Sequence, residues 1–382
     1  MAIKNLNFTP LAGIYLHIPF CKQACTYCDF HFSVNMAAKS DLVKAILLEI
    51  DQRKEYLEGE EIETIYFGGG TPSVLNEDEL NSILQKINKE FKAVKNAEIT
   101  LECNPDDINE EKLEQLKNSG INRLSIGLQS FNEEELKWMN RAHSATESFN
   151  CVKLAQDKGF ENITIDLIYG SKFQSRESWK KTLQSALNLN VQHISAYNLT
   201  IESKTKLGVD HKKGTEPGVS EDLSSEQFKT MIELLQKNDF VHYEISNFGK
   251  ENYFSKHNSN YWKGAKYLGL GPSAHSFNTE SRQWNVSSNS VYIQKVNVNE
   301  VYSEKEALSP QEHYNEYILT RLRTIWGCDT KEIEQRFGKE VLVSFESTVK
   351  KHQKYFDSKD GIITLNTEGK LRADFLASEF FN

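Results

Sequence analysis

The stretch "GIYLHIPFCKQACTYCDFHFS", residues 13–33, joins a short apolar run to a loop carrying Cys21, Cys25 and Cys28. The run reads as a strand, because β-branched and aromatic side chains suit a pleated, half-buried surface. The trio is half of the chain's six cysteines, and Cys103, Cys151 and Cys328 lie scattered without a framework pattern. That usage suits a reducing compartment, with the clustered thiols as ligands rather than disulfide partners. Buried small apolar residues would be the bland alternative. A structural zinc site normally takes four protein ligands in two separated pairs, and no CxxC or HxxxH partner follows downstream. Thiolates are also what iron–sulfur clusters require, and a four-iron cluster held by three of them leaves one iron open to a non-protein ligand.

Working outward, apolar runs at 13–18, 64–69, 97–103, 123–129, 163–169 and 193–199 alternate with amphipathic stretches such as SDLVKAILLEIDQRKEYL and NEDELNSILQKINKEF. The alternation predicts six βα units, hence an α/β fold with a parallel sheet. Right-handed crossovers curve such a sheet into a barrel or part of one, with functional groups at the C-terminal strand ends. After about residue 205 the polar stretch KLGVDHKKGTEPGVSEDLSSE predicts a loop or lid, and 242–277 is irregular and rich in aromatics. From 306 onward, successive amphipathic helices and a short hairpin predict a small winged-helix-like domain. The expected division is a barrel core over 1–205, a lid and aromatic-rich extension over 206–305, and a helical domain over 306–382.

With 382 residues and 38% hydrophobic content the chain can bury a large core. A net charge of -9 with both signs interspersed argues against a general binder of nucleic acid or anionic membranes. The opening MAIKNLNFTPLAG lacks an apolar leader, and no run approaches the roughly 18 apolar residues of a membrane span, so a cytoplasmic location is expected.

Several strand ends carry chemistry. FGGGTPS at 67–73 is a glycine turn without the lysine of a phosphate-binding Walker loop. ECNP places Glu102 at a strand terminus, and the fourth strand ends at Gln129. ITIDLIYG sets Asp166 inside an apolar strand, where an unpaired carboxylate would cost several kcal/mol. It needs a partner, and Arg141 in "MNRAHS" is a candidate. HNSNYW at 257–262 can be ordinary core, or an imidazole for heme iron beside flat aromatic surface for a porphyrin.

The CxxxCxxC spacing after the first strand resembles the radical S-adenosylmethionine (SAM) superfamily, and the likeness to its oxygen-independent coproporphyrinogen oxidase family covers nearly the whole chain. It implies a partial (β/α)6 TIM-like barrel of the radical SAM type, and a [4Fe-4S] cluster on Cys21, Cys25 and Cys28 with SAM on the open iron. An electron donor to that cluster would allow cleavage of the cofactor to a 5'-deoxyadenosyl radical. By position, Tyr15, Tyr27, Gly69, Gly70, Thr71, Glu102, Gln129, Arg141 and Asp166 match cofactor contacts of the oxygen-independent coproporphyrinogen oxidase family. Within that resemblance the glycine run lies against the methionine moiety and Glu102 binds a first SAM. Gln129, Arg141 and Asp166 surround a second ligand position. Two departures matter: Phe30 stands where those oxidases carry a fourth cysteine, and only about a dozen residues precede the first strand. CDF at 28–30 and HNSNYW instead resemble the HemW heme chaperone branch. That branch implies heme as cargo, heme-accepting proteins as partners, and His257 as the first heme contact, with His17 and His275 as alternatives. The rival function is radical oxidative decarboxylation of coproporphyrinogen III in porphyrin biosynthesis. The scaffold permits SAM cleavage in either case, while Phe30 argues against coproporphyrinogen dehydrogenation.

Overall fold

A computed structural model describes residues 11–381; the N-terminal segment read above for a leader lies largely outside them. Six units run in sequence order. They are β1 (Ala12–Ile18) with α1 (Lys39–Gln52), β2 (Ile62–Gly69) with α2 (Glu77–Glu90), β3 (Ala93–Cys103) with α3 (Glu110–Asn118), and β4 (Arg123–Gln129) with α4 (Glu133–Trp138) and α5 (Ala145–Asp157). The last two are β5 (Asn162–Tyr169) with α6 (Arg176–Asn188), and β6 (His193–Asn198). Most of these helices start at a capping residue. Asn76 with Glu79 and Ser144 with Glu147 form reciprocal capping boxes on α2 and α5.

β1 to β6 pair in parallel and in order, as the expected partial barrel requires. Alternation along each strand sorts the residues. Ile14, Leu16, Ile65, Phe67, Leu101, Ile126 and Ile165 are fully buried in the core cluster that includes the apolar faces of the helices. Their neighbours Tyr15, Tyr66, Glu102, Ser125 and Asp166 lie on the other face, the inner wall. That wall is polar deep down. Arg123 approaches Glu98 at 3.9 Å and donates to Thr164 Oγ1, and His193 bonds Thr164 Oγ1 at 3.1 Å and the Tyr243 hydroxyl at 2.7 Å.

The stretch expected as a lid loop contains α7 (Lys206–Lys212), N-capped by Thr205, and α8 (Glu221–Gln236) begins within its polar tail. Leu207 N donates to Thr26 O at 2.8 Å, so α7 is docked on the cysteine loop instead of swinging free. The segment expected to be irregular is also ordered. It supplies β7 (Val241–Glu244), β8 (Asn247–Gly249), α9 (Lys256–Lys263), β9 (Tyr267–Leu270) and β10 (His275–Phe277), and β11 (Ser281–Asn285), α10 (Asn289–Asn297) and β12 (Ser303–Ala307) follow it. β9 adds in parallel beside β1, β8 adds antiparallel beside β6, and the result is one twelve-stranded sheet. These strands are short and lack regular alternation, which is why the sequence pattern hides them.

Beyond them lie α11 (Pro310–Leu322), β13 (Cys328–Asp329), α12 (Thr330–Phe337), α13 (Lys339–Lys351), β14 (Phe356–Lys359), β15 (Ile362–Leu365), α14 (Thr367–Lys370) and α15 (Ala373–Ser378). β13, β15 and β14 form a separate three-stranded sheet. Tyr314, Ile318, Phe345, Leu376 and Phe380 form a core of their own, whereas Tyr292 and Tyr302 belong to the barrel core.

Candidate cofactor site and adjoining groove

Cys21, Cys25 and Cys28 sit on the loop after β1, each partly exposed and unpaired. The glycine turn after β2 holds this loop through its backbone. Gly70 N donates to Ile18 O at 2.9 Å and Thr71 N to Phe20 O at 2.7 Å. A Cβ on Gly70 would lie 2.8 Å from backbone atoms of Ile18 and Phe20, so only glycine permits this approach.

Side chains then link two of the cysteines. Thr71 Oγ1 donates to Cys21 Sγ at 3.4 Å, and Asn104 Nδ2 donates to Thr71 Oγ1 at 3.1 Å. Arg141 Nη2 donates to Asn104 Oδ1 at 2.7 Å, while its Nη1 donates to Cys25 Sγ at 3.3 Å. Asn104 is thus the joint of the chain, a residue the sequence reading passed over as part of a proline turn. Donors aimed at sulfur favour a negatively charged or metal-bound thiolate. Burial first, and then the neighbouring cysteines, push the Cys28 thiol up to about 12 and raise Cys21, with the Thr71 hydrogen bond opposing the shift at Cys21. Ligation would therefore expel protons as it forms. The donor set, the charged donor and the buried, unpartnered Nε of Arg141 fit an iron–sulfur cluster with a polar co-ligand. Among the described residues no three His, Cys, Asp or Glu side chains converge on a single ion.

The expected SAM contacts gather at the C-terminal mouth of β2 to β5. Tyr66 OH donates to Glu102 Oε1 at 2.8 Å, and Gly69 N donates to Oε2 at 3.2 Å. Burial pushes the Glu102 carboxyl up to about 7, against those two hydrogen bonds and with the Asp166 charge adding to the rise. Asp166 is raised to about 6 by burial, opposed by Ser195, Arg123 and Ser125, and Ser125 Oγ donates to it at 3.2 Å. Arg141 makes no direct bond to Asp166; its guanidinium is spent on Asn104, Gly127 O and Cys25. The candidate pair is thus replaced by serine hydroxyls and the nearby charge of Arg123. Gln129 ends β4 at φ 65°, a left-handed strain that sits where the strand opens into the site. Tyr27 packs its ring against the small cluster of Met139, Ile168, Leu199 and Leu207, and its hydroxyl faces the cysteine site beside Cys25 and Arg141.

His257 lies on α9 and is only 2% exposed. Its Nδ1 bonds Thr64 Oγ1 at 2.7 Å, its Nε2 bonds the Tyr261 hydroxyl at 2.7 Å, and its ring stacks on Tyr66 at 4.9 Å. Neither nitrogen is open to an iron. His17 is similarly spent, on the Tyr15 hydroxyl at 3.2 Å and His31 O at 2.9 Å. His275 is exposed and has no ring hydrogen bond among the described residues. It lines a groove of about 760 Å³ walled by the cysteine-loop residues Asp29, Phe30 and His31, by Tyr261 and Trp262, and by α11. Phe30, one of these lining residues, is 68% exposed.

This architecture and site define a radical SAM protein: the family model described as the Radical SAM superfamily matches residues 15–186. The heme chaperone HemW of Bacillus subtilis is 30% identical over 366 residues, covering 94% of this chain and 97% of the relative. The heme chaperone HemW of Escherichia coli is 36% identical over 270 residues, 70% of each chain. The chain belongs to the HemW family of the radical SAM superfamily. Among solved structures, E. coli coproporphyrinogen III oxidase (HemN) superposes with a TM-score of 0.84, covering 98% of this chain and 90% of that one at 23% identity, which establishes the shared fold. Among the described residues no helix is long and apolar enough to cross a membrane.

Proposed function

We propose that this chain is a heme chaperone, which carries a [4Fe-4S] cluster and SAM, binds heme, and passes it to acceptor proteins. The observation that carries the reading is the placement of the groove: Asp29, Phe30 and His31, the residues directly after Cys28, form one of its walls. Cargo in the groove would lie against the cluster loop. The relatives that bear the chaperone name support the same reading.

Cys21, Cys25 and Cys28 would hold the cluster, which when bound supplies an electron and a coordination position for SAM. Thr71 and Arg141 fix two of the sulfurs by donating to them. The glycine turn keeps backbone groups within reach of the methionine moiety. Glu102 and Asp166, two carboxyls raised toward neutrality, would accept hydrogen bonds from an ammonium or ribose hydroxyls, and Gln129 and Arg141 would border the second ligand position. Phe30 offers an apolar face to a porphyrin where a fourth cysteine would have offered a thiol.

A second reading, oxidative decarboxylation of coproporphyrinogen III, draws on the fold shared with HemN. Hemin titration of the reconstituted protein tests the chaperone reading: a saturable Soret change at micromolar hemin is expected. A response no different from that of an unrelated barrel protein sinks it. Formation of protoporphyrinogen under anaerobic conditions, with SAM and a reductant, would move the assignment to the second reading.

A further inference from the structure

The chain has ten histidines, and all of them lie among the described residues. Eight spend at least one ring nitrogen on a protein hydrogen bond: His17, His31, His143, His193, His211, His242, His257 and His352. The two with no ring hydrogen bond among the described residues, His275 and His313, line the same groove. They come from different elements. His275 opens β10, which lies between β9 and β11 in the sheet, and His313 lies on the first turns of α11. The two walls are joined nearby by the ion pair of Arg282 with Glu316.

The rest of the lining agrees with a flat, apolar, dianionic ligand. Phe30 presents an open ring face, and the indole Nε1 of Trp262, another lining residue, is buried without a partner. Arg282 and Arg321 bring guanidinium groups, whose planar fork suits carboxylates. A volume of about 760 Å³ is in the range of cofactor sites.

We infer that this groove is the heme seat and that His275 and His313 are its axial ligands, one from the sheet and one from α11. The inference rests on the chaperone reading and relocates the iron contact away from His257, whose role is structural. Heme would then bridge the barrel sheet and α11, so release would require those walls to part.

The test titrates reconstituted full-length protein with hemin and records the Soret and visible bands. Wild type, His275→Ala, His313→Ala and the exposed-site control His211→Ala are compared. Neither groove imidazole has a ring hydrogen bond among the described residues, so neither substitution breaks one; His275→Ala gives up a tilted ring contact with Trp284 at 6.2 Å. The wild type and the control should give the spectrum of six-coordinate, bis-imidazole heme. Each groove variant should weaken hemin binding by about tenfold or more and lose that low-spin signature. Added imidazole should restore the signature in each. If either variant keeps the wild-type affinity and spectrum, that imidazole is no ligand and the paired assignment falls, while the chaperone reading stands. If the wild type itself fails to bind hemin, both fall together.

Discussion

Glu102→Gln separates the cost of burying a carboxylate from its use as a cofactor ligand. In the folded protein the Glu102 carboxyl is pushed from 4.5 up to about 7, mainly by burial. The folded state therefore holds this proton more tightly than the unfolded chain does. The stability that the proton contributes is complete below 4.5 and is lost as pH rises through about 7. Between about pH 5 and about pH 8 the loss integrates to at most about 2.5 kcal/mol, less to the extent that the side chain keeps contact with solvent in the chamber. Asp166, raised from 3.8 to about 6, acts with the same sign over a lower window and remains in the variant. Urea unfolding of protein stripped of cluster and SAM, at those two pH values, reads the difference directly. The wild type should lose stability as pH rises, and Glu102→Gln should lose less, ending more stable than wild type at the higher pH. In the reconstituted protein the same change should weaken SAM binding, because a charge-assisted acceptor is gone. Parallel pH dependence in the two proteins would refute the claim that Glu102 is held in a desolvating site.

Three further substitutions and one control probe the site. Asn104→Ala removes the joint between Thr71 and Arg141 and leaves the guanidinium short of an acceptor, a cost of about 1–3 kcal/mol. Iron retained per chain should fall and the EPR signal of the reduced cluster should shift; unchanged iron and spectrum would count against the chain of hydrogen bonds. Gly70→Ala drives a Cβ to 2.8 Å from the Ile18 and Phe20 backbone, so cluster incorporation and thermal midpoint should both drop. Gly218→Ala, which meets only His211 at 3.5 Å, should be benign, and equal behaviour of the two would contradict the close approach. His257→Ala deletes two buried hydrogen bonds and the stack on Tyr66, and should destabilise by about 3 kcal/mol while the folded fraction still binds hemin. Loss of hemin binding with stability intact would return the iron contact to His257.

The cysteine trio, the glycine turn and the strand-borne carboxyls Glu102 and Asp166 were legible because each rests on local spacing along the chain. Along a strand a residue's face follows from its parity, which puts Glu102 near the end of β3 and Asp166 within β5 on the same inner wall. What the sequence could not reveal depends on contacts distant in sequence. Arg141 lies 116 residues from Cys25, and its choice of Asn104 over Asp166 is decided by packing. His257 carries the right chemistry for iron, but Thr64, 193 residues away, takes its Nδ1. His313 had no motif at all. It becomes conspicuous only after the hydrogen bonds of the other histidines have been accounted for, a signal that exists in three dimensions alone. The short strands β7 to β12 were hidden for a related reason, since edge additions of three to five residues are set by the sheet they join.

The most direct test of the account is delivery of the cargo. Hemin-loaded, cluster-bearing protein is mixed with a heme-free b-type heme protein, and the appearance of heme in the acceptor is followed by absorbance. Passive release is measured in parallel with an inert scavenger. The account predicts transfer to the acceptor faster than passive release, with the groove emptied as the acceptor fills. Transfer no faster than release into the scavenger would contradict it.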